Sequence, residues 1–490
     1  MSPVLGAVGP LFLAIVFVFF LVVLGIGYYG YRTTNTEDDF LVAGRSIGPI
    51  VGGTTLSATQ MSAGTFIGTI GVHYLTGVSY VYIWIGLWLG WLVSLVFVAP
   101  KIRRFGELTV PDFLVARFGR GGRSDDYFRA LSAVLIFGAY TVYISAQYTG
   151  AGLVFESMFG VSRNTGMILM VVIVLIYTTL GGMRASALTD FVQFIIMLAG
   201  AVVALPQIFQ YIGGFEALNA TLTAVQPSLT GWGYTPIEVG TIAAAFGFGM
   251  IGAPYELTRV YSMRDEKTVR QAIGLTLIYQ VIIATSVALI GMGMRVMFPE
   301  LGTPDLASII MSINVLGPVL GAMVVTAILS AMLSTVDSIM IVSAGALAHD
   351  LYAQLLNPNA SERRKLWVNR LSTVVVGVVP LVLALTPGVL GGLVQFIVIL
   401  QTALIGASFS IPVLIGLNWK RANLWGAALG MVGGFLTVIV WHFLQSDLAG
   451  ILSQIDPVVP GVIVSLLGLF IGSYATAPPE SERLERFFDI

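Results

Sequence analysis

Two short polar stretches interrupt a chain that is otherwise apolar. Leu56-Ser57-Ala58-Thr59-Gln60-Met61-Ser62-Ala63-Gly64-Thr65 sets hydroxyls, a carboxamide and a glycine between apolar or small flanks. A helix that only crosses a bilayer has no use for them. One that breaks at mid-membrane does, because its freed backbone groups and hydroxyls can hold an ion and a solute. The second stretch carries Ala331, Ser334, Thr335, Asp337 and Ser338. Positions 331, 334, 335 and 338 share one helical face, which Asp337 flanks. Hydroxyls, main-chain carbonyls and a carboxylate are hard oxygen ligands, suited to a small hard cation and not to a thiophilic metal. Such hydroxyls more often bond back to their own helix, but the polar residues crowded between 334 and 338 weigh against that use here.

A third stretch, Phe246-Gly247-Phe248-Gly249-Met250-Ile251-Gly252-Ala253-Pro254-Tyr255, packs three glycines and a proline into an apolar run. Pro254 removes a backbone donor, and glycine tolerates unusual dihedrals, so a second break is expected. Asp190 fits either a buried ion ligand or an acid favoured by a helix N-terminus. Tyr143 and Gln147 share a helix face that either lines a cavity or packs in a core. Glu256 reads as reaching water or pairing with Arg259. No arginine is expected at mid-membrane. His73, His349 and His442 lie near span ends and read as interfacial, and Tyr80-Val81-Tyr82-Ile83-Trp84 reads as an outer aromatic belt. No hydrolase, zinc-protease or nucleotide-binding motif is present, so no enzyme activity is expected.

The elements that must position these residues are membrane helices. The chain of 490 residues is 57% hydrophobic and 10% charged, against about 25% charged in soluble domains. It has no cysteine, which excludes disulfides and thiolate sites. The net charge of -1 gives no reason to expect a nucleic-acid partner. Apolar runs long enough to cross recur at 9–30, 48–70, 78–100, 128–154, 164–182, 187–211, 237–257, 271–297, 315–347, 370–387, 390–415, 423–444 and 459–477, thirteen spans by this reading. The first lacks a basic leader and a cleavage site, and reads as a retained helix. Alternating the loops puts 22 of the 24 Lys and Arg on one side, leaving only Arg163 and Arg295 on the other. By the positive-inside rule the basic side is the cytoplasm, with the N-terminus outside and the C-terminus inside. Setting aside the first span, the breaks fall in core helices 1 and 6, which enter from opposite sides. That is the layout of two inverted five-helix repeats crossing at a midplane site.

At these residues the sequence resembles the sodium/solute symporter family, which includes the proline, pantothenate, sialic acid and sodium/glucose symporters. Tyr177 to Gln193 (YTTLGGMRASALTDFVQ) is similar to its first signature, and Gly416-Leu417-Asn418-Trp419-Lys420-Arg421 with Gly426, Ala427 and Gly430 to its second. Gly44-Arg45-Ser46, Leu108 to Phe113, Arg117-Phe118-Gly119 and Phe155-Glu156 add support. The resemblance implies an all-α membrane protein of the LeuT-type fold: repeats at 48–211 and 237–415, one extra N-terminal helix, and C-terminal helices at 423–477, all within one transporter domain. It implies a sodium held by the carbonyls of Ala58, Met61 and Ala331 and the hydroxyls of Ser334 and Thr335. Some members hold a second sodium, and the matching positions here are Ser334, Asp337, Ser338 and Asp190. Asp337 departs from the hydroxyls or amides common there, which leaves sodium and proton both open for that site.

The expected function is sodium-coupled import of a small solute by alternating access, with a monomer sufficient. The solute would meet Gln60, Ser62, Thr65, Tyr143, Gln147, Met250 and Pro254. Proline-type members carry Asp where this chain has Gln60, and sugar members carry acidic and amide residues at the positions of Gly64 and Thr65. An amino acid or carboxylate (proline, pantothenate or a monocarboxylate) is therefore favoured over a sugar or polyol. A proton-coupled or uncoupled carrier, or a passive channel, is the alternative. A sensor would need an appended signalling domain, and none is expected.

Overall fold

In hydrocarbon a backbone must satisfy its own hydrogen bonds, so the apolar runs are bound to form helices. The computed structural model describes residues 8–386 and 392–488. The expected span ends at 387 and 390 lie outside the described residues. Among them β pairing is confined to one isolated bridge, between Ile47 and Met263.

Among the described residues, eleven helices are long and apolar enough to span a membrane. The difference from thirteen lies in two places. The expected spans 164–182 and 187–211 fall on one helical run, Arg163–Ile212, of 50 residues. The end of 48–70 and all of 78–100 fall on another, Gly64–Phe105, of 42 residues. At 1.5 Å per residue these reach roughly 75 and 63 Å, about twice a hydrocarbon core. Each holds a glycine in the left-handed region, Gly77 at φ 64° and Gly182 at φ 55°. A Cβ at Gly182 would meet the Phe40 carbonyl oxygen at 2.7 Å. Gly182→Ala should therefore lower the melting temperature of the detergent-solubilised protein, costing more than about 1–2 kcal/mol. Gly25→Ala, with nothing within 4 Å of its Cβ, should leave it unchanged.

The helix Pro318–Gly345 is the centre of the molecule: every residue from Val324 to Gly345 is buried. The N-terminal helix Pro10–Thr33 packs on Arg163–Ile212 through small residues. Added Cβ atoms at Gly27 and Gly30 would come within 2.4 Å of the Cβ atoms of Tyr177 and Ala185, the close approach typical of membrane helices. Its other side keeps Phe17 and Val18 exposed, as lipid contact requires.

The basic loops gather at one end. Arg103 Nη2 donates to the Arg264 carbonyl at 2.8 Å, and Lys101 Nζ to the Leu417 carbonyl at 3.1 Å. Arg117, fully buried, donates to the carbonyls of Gly416 (2.6 Å), Trp419 (2.9 Å) and Ala422 (3.1 Å). A guanidinium there meets carbonyls left free where the helix Ile411–Gly416 ends. Arg117-Phe118-Gly119 and Gly416 to Arg421 are far apart in sequence and form one joint.

Candidate ion and solute site

The first break is built from side chains that replace lost backbone bonds. The helix Pro49–Gln60 ends at Met61, whose dihedrals (φ −73°, ψ 101°) leave the helical region. The Ala63 N–H donates to Gln147 Oε1 at 2.8 Å, and the Gly64 N–H to Ser62 Oγ at 3.0 Å. Across from the break, Ser334 Oγ donates to the Ala58 carbonyl and Thr335 Oγ1 to the Thr59 carbonyl, both at 2.8 Å. Thr335 Oγ1 also reaches the Ala331 carbonyl at 2.9 Å. Ala58, Met61, Ala331, Ser334 and Thr335 are all fully buried. The structure thus brings the carbonyls of Ala58 and Ala331 together with the hydroxyls of Ser334 and Thr335, oxygen donors of the kind a small hard cation takes, and the further carbonyl in contact is that of Thr59, not Met61.

The second break is as expected in position. The helix Pro236–Ile251 stops, Gly252 and Ala253 leave helical dihedrals, and Pro254–Ser262 begins. The Gly252 N–H donates to Ser410 Oγ at 3.1 Å and the Tyr255 N–H to Tyr140 Oη at 3.0 Å. Beyond it the structure departs from what the sequence predicts. Arg259 is fully buried, where no arginine was expected. Its Nη2 donates to Asp190 Oδ2 at 3.1 Å, to Ser186 Oγ at 3.2 Å and to Ser338 Oγ. Its Nε donates to Thr55 Oγ1 at 2.9 Å. Asp190, Asp337 and Ser338 do come together, and they do so around this guanidinium. Glu256 is neither in water nor paired: it is buried, and neither carboxyl oxygen has a hydrogen-bond partner.

Between the breaks lies a cavity lined by Gln60, Ser62, Thr65, Tyr143 and Met250, as expected. Two expected residues are absent from it. Gln147 caps the first break, and Pro254 opens the second half-helix while its neighbour Tyr255 lines the cavity. Several lining residues were missed, among them Thr69, Trp84, Phe246, Gln395 and Thr402. Trp84 and Tyr80 do not belong to an outer belt. Both are buried, four residues apart, with Tyr80 Oη accepting from Gln395 Nε2 at 2.9 Å. Of the three aromatics in that run, Tyr82 faces outward, stacked on Trp232. Gln60 Oε1 accepts from Trp91 Nε1 at 3.3 Å and from Gln280 Nε2. The free space is about 30 Å³, room for about two or three waters, so a solute requires the walls to part.

An ion-pair network lies at the basic end. Arg129 Nη1 lies 2.5 Å from Asp112 Oδ1 and 2.7 Å from Asp350 Oδ1. His349 bridges Asp112 (3.0 Å) and Glu37 (3.3 Å), and Asn369 Nδ2 donates to Glu37 at 3.2 Å. His349 and His73 are thus buried, not interfacial. Asp112, His349 and Asp350 are close enough to hold a metal, but Arg129 already touches both carboxylates. Burial opposes charge on Asp112, yet His349 and Arg129 hold its carboxyl well below the usual carboxylate range. Burial likewise opposes charge on Glu37, and His349, Asn369 and Lys365 hold it below that range. Carboxyls with lowered values stabilise the folded network fully above the ordinary value of roughly 4, and lose that contribution as pH falls through the lowered values. Protection of this end from amide hydrogen exchange should therefore persist at pH 5 and fall only at lower pH.

The chain belongs to the sodium:solute symporter family, whose model matches residues 40–434. Membership places it among multi-pass membrane symporters that couple a solute to sodium. It is 31% identical over 475 residues to the high-affinity proline transporter PutP of Bacillus subtilis, covering 95% of this chain and 98% of that one. It is 30% identical over 472 residues to the osmoregulated proline transporter OpuE of the same organism, covering 94% of each. Among solved structures, a Na+-coupled sialic acid symporter, described in a substrate-bound outward-open state with a novel Na+ site, superposes with TM-score 0.79 at 19% identity. That match covers 96% of this chain and 99% of the other.

Proposed function

We propose that the protein imports a small amino acid or carboxylate together with sodium by alternating access. Sodium sits on the carbonyls of Ala58, Met61 and Ala331 and the hydroxyls of Ser334 and Thr335. The observation that carries this is the pair of hydroxyls reaching carbonyls of the broken helix, Ser334 to Ala58 and Thr335 to Thr59, beside a polar-lined cavity. A cation there draws the two helices together, and a solute against Gln60, Ser62, Thr65, Tyr143 and Met250 favours the same state. Coupling requires that shared preference.

The finer architecture belongs to the same reading. The runs Gly64–Phe105 and Arg163–Ile212 each cross twice, turning at Gly77 and Gly182, which makes thirteen crossings. Core helices 1–5 and 6–10 form inverted repeats, flanked by one N-terminal and two C-terminal helices. The end where the basic loops gather faces the cytoplasm, so the N-terminus is outside and the C-terminus inside.

The solute class rests on the proline-transporting relatives and on Gln60. A carboxamide accepts and donates hydrogen bonds without charge, whereas an aspartate would grip a cationic amine. Gln60→Asp should raise the affinity for proline relative to a short monocarboxylate by about tenfold, the worth of one charge-assisted bond. Competition uptake with labelled solute tests it, and an unchanged ratio would place Gln60 outside the solute site. The function itself is tested by uptake into proteoliposomes under sodium, proton or no gradient.

A further inference from the structure

We infer that Arg259 fills the second cation position, so that this chain carries a tethered guanidinium there and moves one sodium per solute. The inference rests on the proposed symport and deepens it. The oxygens matching the second position are those of Asp190, Ser334, Asp337 and Ser338. Arg259 Nη2 contacts Asp190 Oδ2 at 3.1 Å and the Ser338 hydroxyl directly. It also contacts Ser186 Oγ at 3.2 Å. Ser186 and Ser338 in turn donate to Asp337 Oδ1, at 3.0 and 3.1 Å. One nitrogen therefore takes two of those four side chains directly, Asp190 and Ser338, and is joined to a third, Asp337, through the Ser186 and Ser338 hydroxyls.

Arg259 is held there from several sides. Thr55 of the first broken helix accepts from Nε at 2.9 Å, and the carbonyl of Tyr255 lies 3.4 Å from Nη1. The side chain is wholly buried. With Nη2 in place, Asp190 Oδ1 and Asp337 Oδ2 are the carboxyl oxygens there without a partner. Two oxygens fall short of the shell of about six that a hard cation gathers. A sodium would also face the guanidinium at close range in a medium that screens charge poorly. The first position is unaffected, because Ser334 and Thr335 turn their hydroxyls to Ala58 and Thr59 and not to Arg259.

The test is the sodium-to-solute ratio, measured in proteoliposomes from the membrane potential at which solute flux reverses under a fixed sodium gradient. The wild type should give a ratio of one and a hyperbolic dependence on sodium. Arg259→Gly opens the position and leaves both carboxylates, so the ratio should rise to two with a sigmoidal sodium dependence, while Arg259→Lys should stay at one. A wild-type ratio of two overturns the inference, as does an active Arg259→Gly that stays at one. If Arg259→Gly does not transport, the wild-type ratio decides alone. Solute flux indifferent to sodium overturns the symport reading, and this inference with it.

Discussion

Thr335→Ala should weaken the activation of transport by sodium at least tenfold while the protein still folds and inserts. The hydroxyl touches two main-chain carbonyls, of Thr59 across the break and of Ala331 in its own helix. An oxygen facing a charged partner contributes about 1.5–3 kcal/mol, which is roughly one to two decades in binding. The deletion leaves a small void at a fully buried position, and the helix Pro318–Gly345 keeps its backbone bonds. Ser334→Ala should act in the same direction through Ala58. The readout is the sodium concentration for half-maximal uptake at saturating solute. A Thr335→Ala protein with unchanged sodium activation would mean that the ion lies elsewhere.

Arg129→Met should shift the protein toward a state open at the basic end. Arg129 is the cation between Asp112 and Asp350, and Asp350 is fully buried. Removing one partner of a buried pair costs about 3–5 kcal/mol because the other charge is left uncompensated. Even the lower figure shifts a two-state ratio by about a hundredfold. The chain has no cysteine, so a single introduced one reports cleanly. Val342 lines a small void of about 10 Å³ just inside the network, so a Val342→Cys protein should react slowly with a maleimide. Adding Arg129→Met should speed labelling by an order of magnitude or more. Equal rates would mean that the network does not hold this end shut.

Much of this was legible in the sequence because the chemistry is local. The hydroxyls at 334 and 335 and the break at 60–63 declare themselves as polar groups where hydrocarbon forbids idle ones, and helical spacing puts 331, 334 and 335 on one face. The partners of charged residues were less legible. Arg259 lies two residues past the expected span end at 257 and was counted among loop cations. The structure continues that half-helix to Ser262, which draws Arg259 inward toward Asp190, 69 positions away. His349 looked interfacial because its partners, Glu37 and Asp112, come from distant segments. The Tyr80 to Trp84 run shows the converse limit: composition marks an aromatic cluster, but only the helix phase separates buried Tyr80 and Trp84 from exposed Tyr82.

Sodium at the first break should drive solute across the bilayer. The most direct measurement is uptake of labelled proline, pantothenate and a short monocarboxylate into proteoliposomes holding the purified protein, with an inward sodium gradient, an inward proton gradient, or none. Accumulation of one of these above equilibrium with sodium alone, weakened by Ser334→Ala and Thr335→Ala, is the predicted result. Accumulation driven by protons without sodium, or equilibration that ignores both gradients, would contradict it.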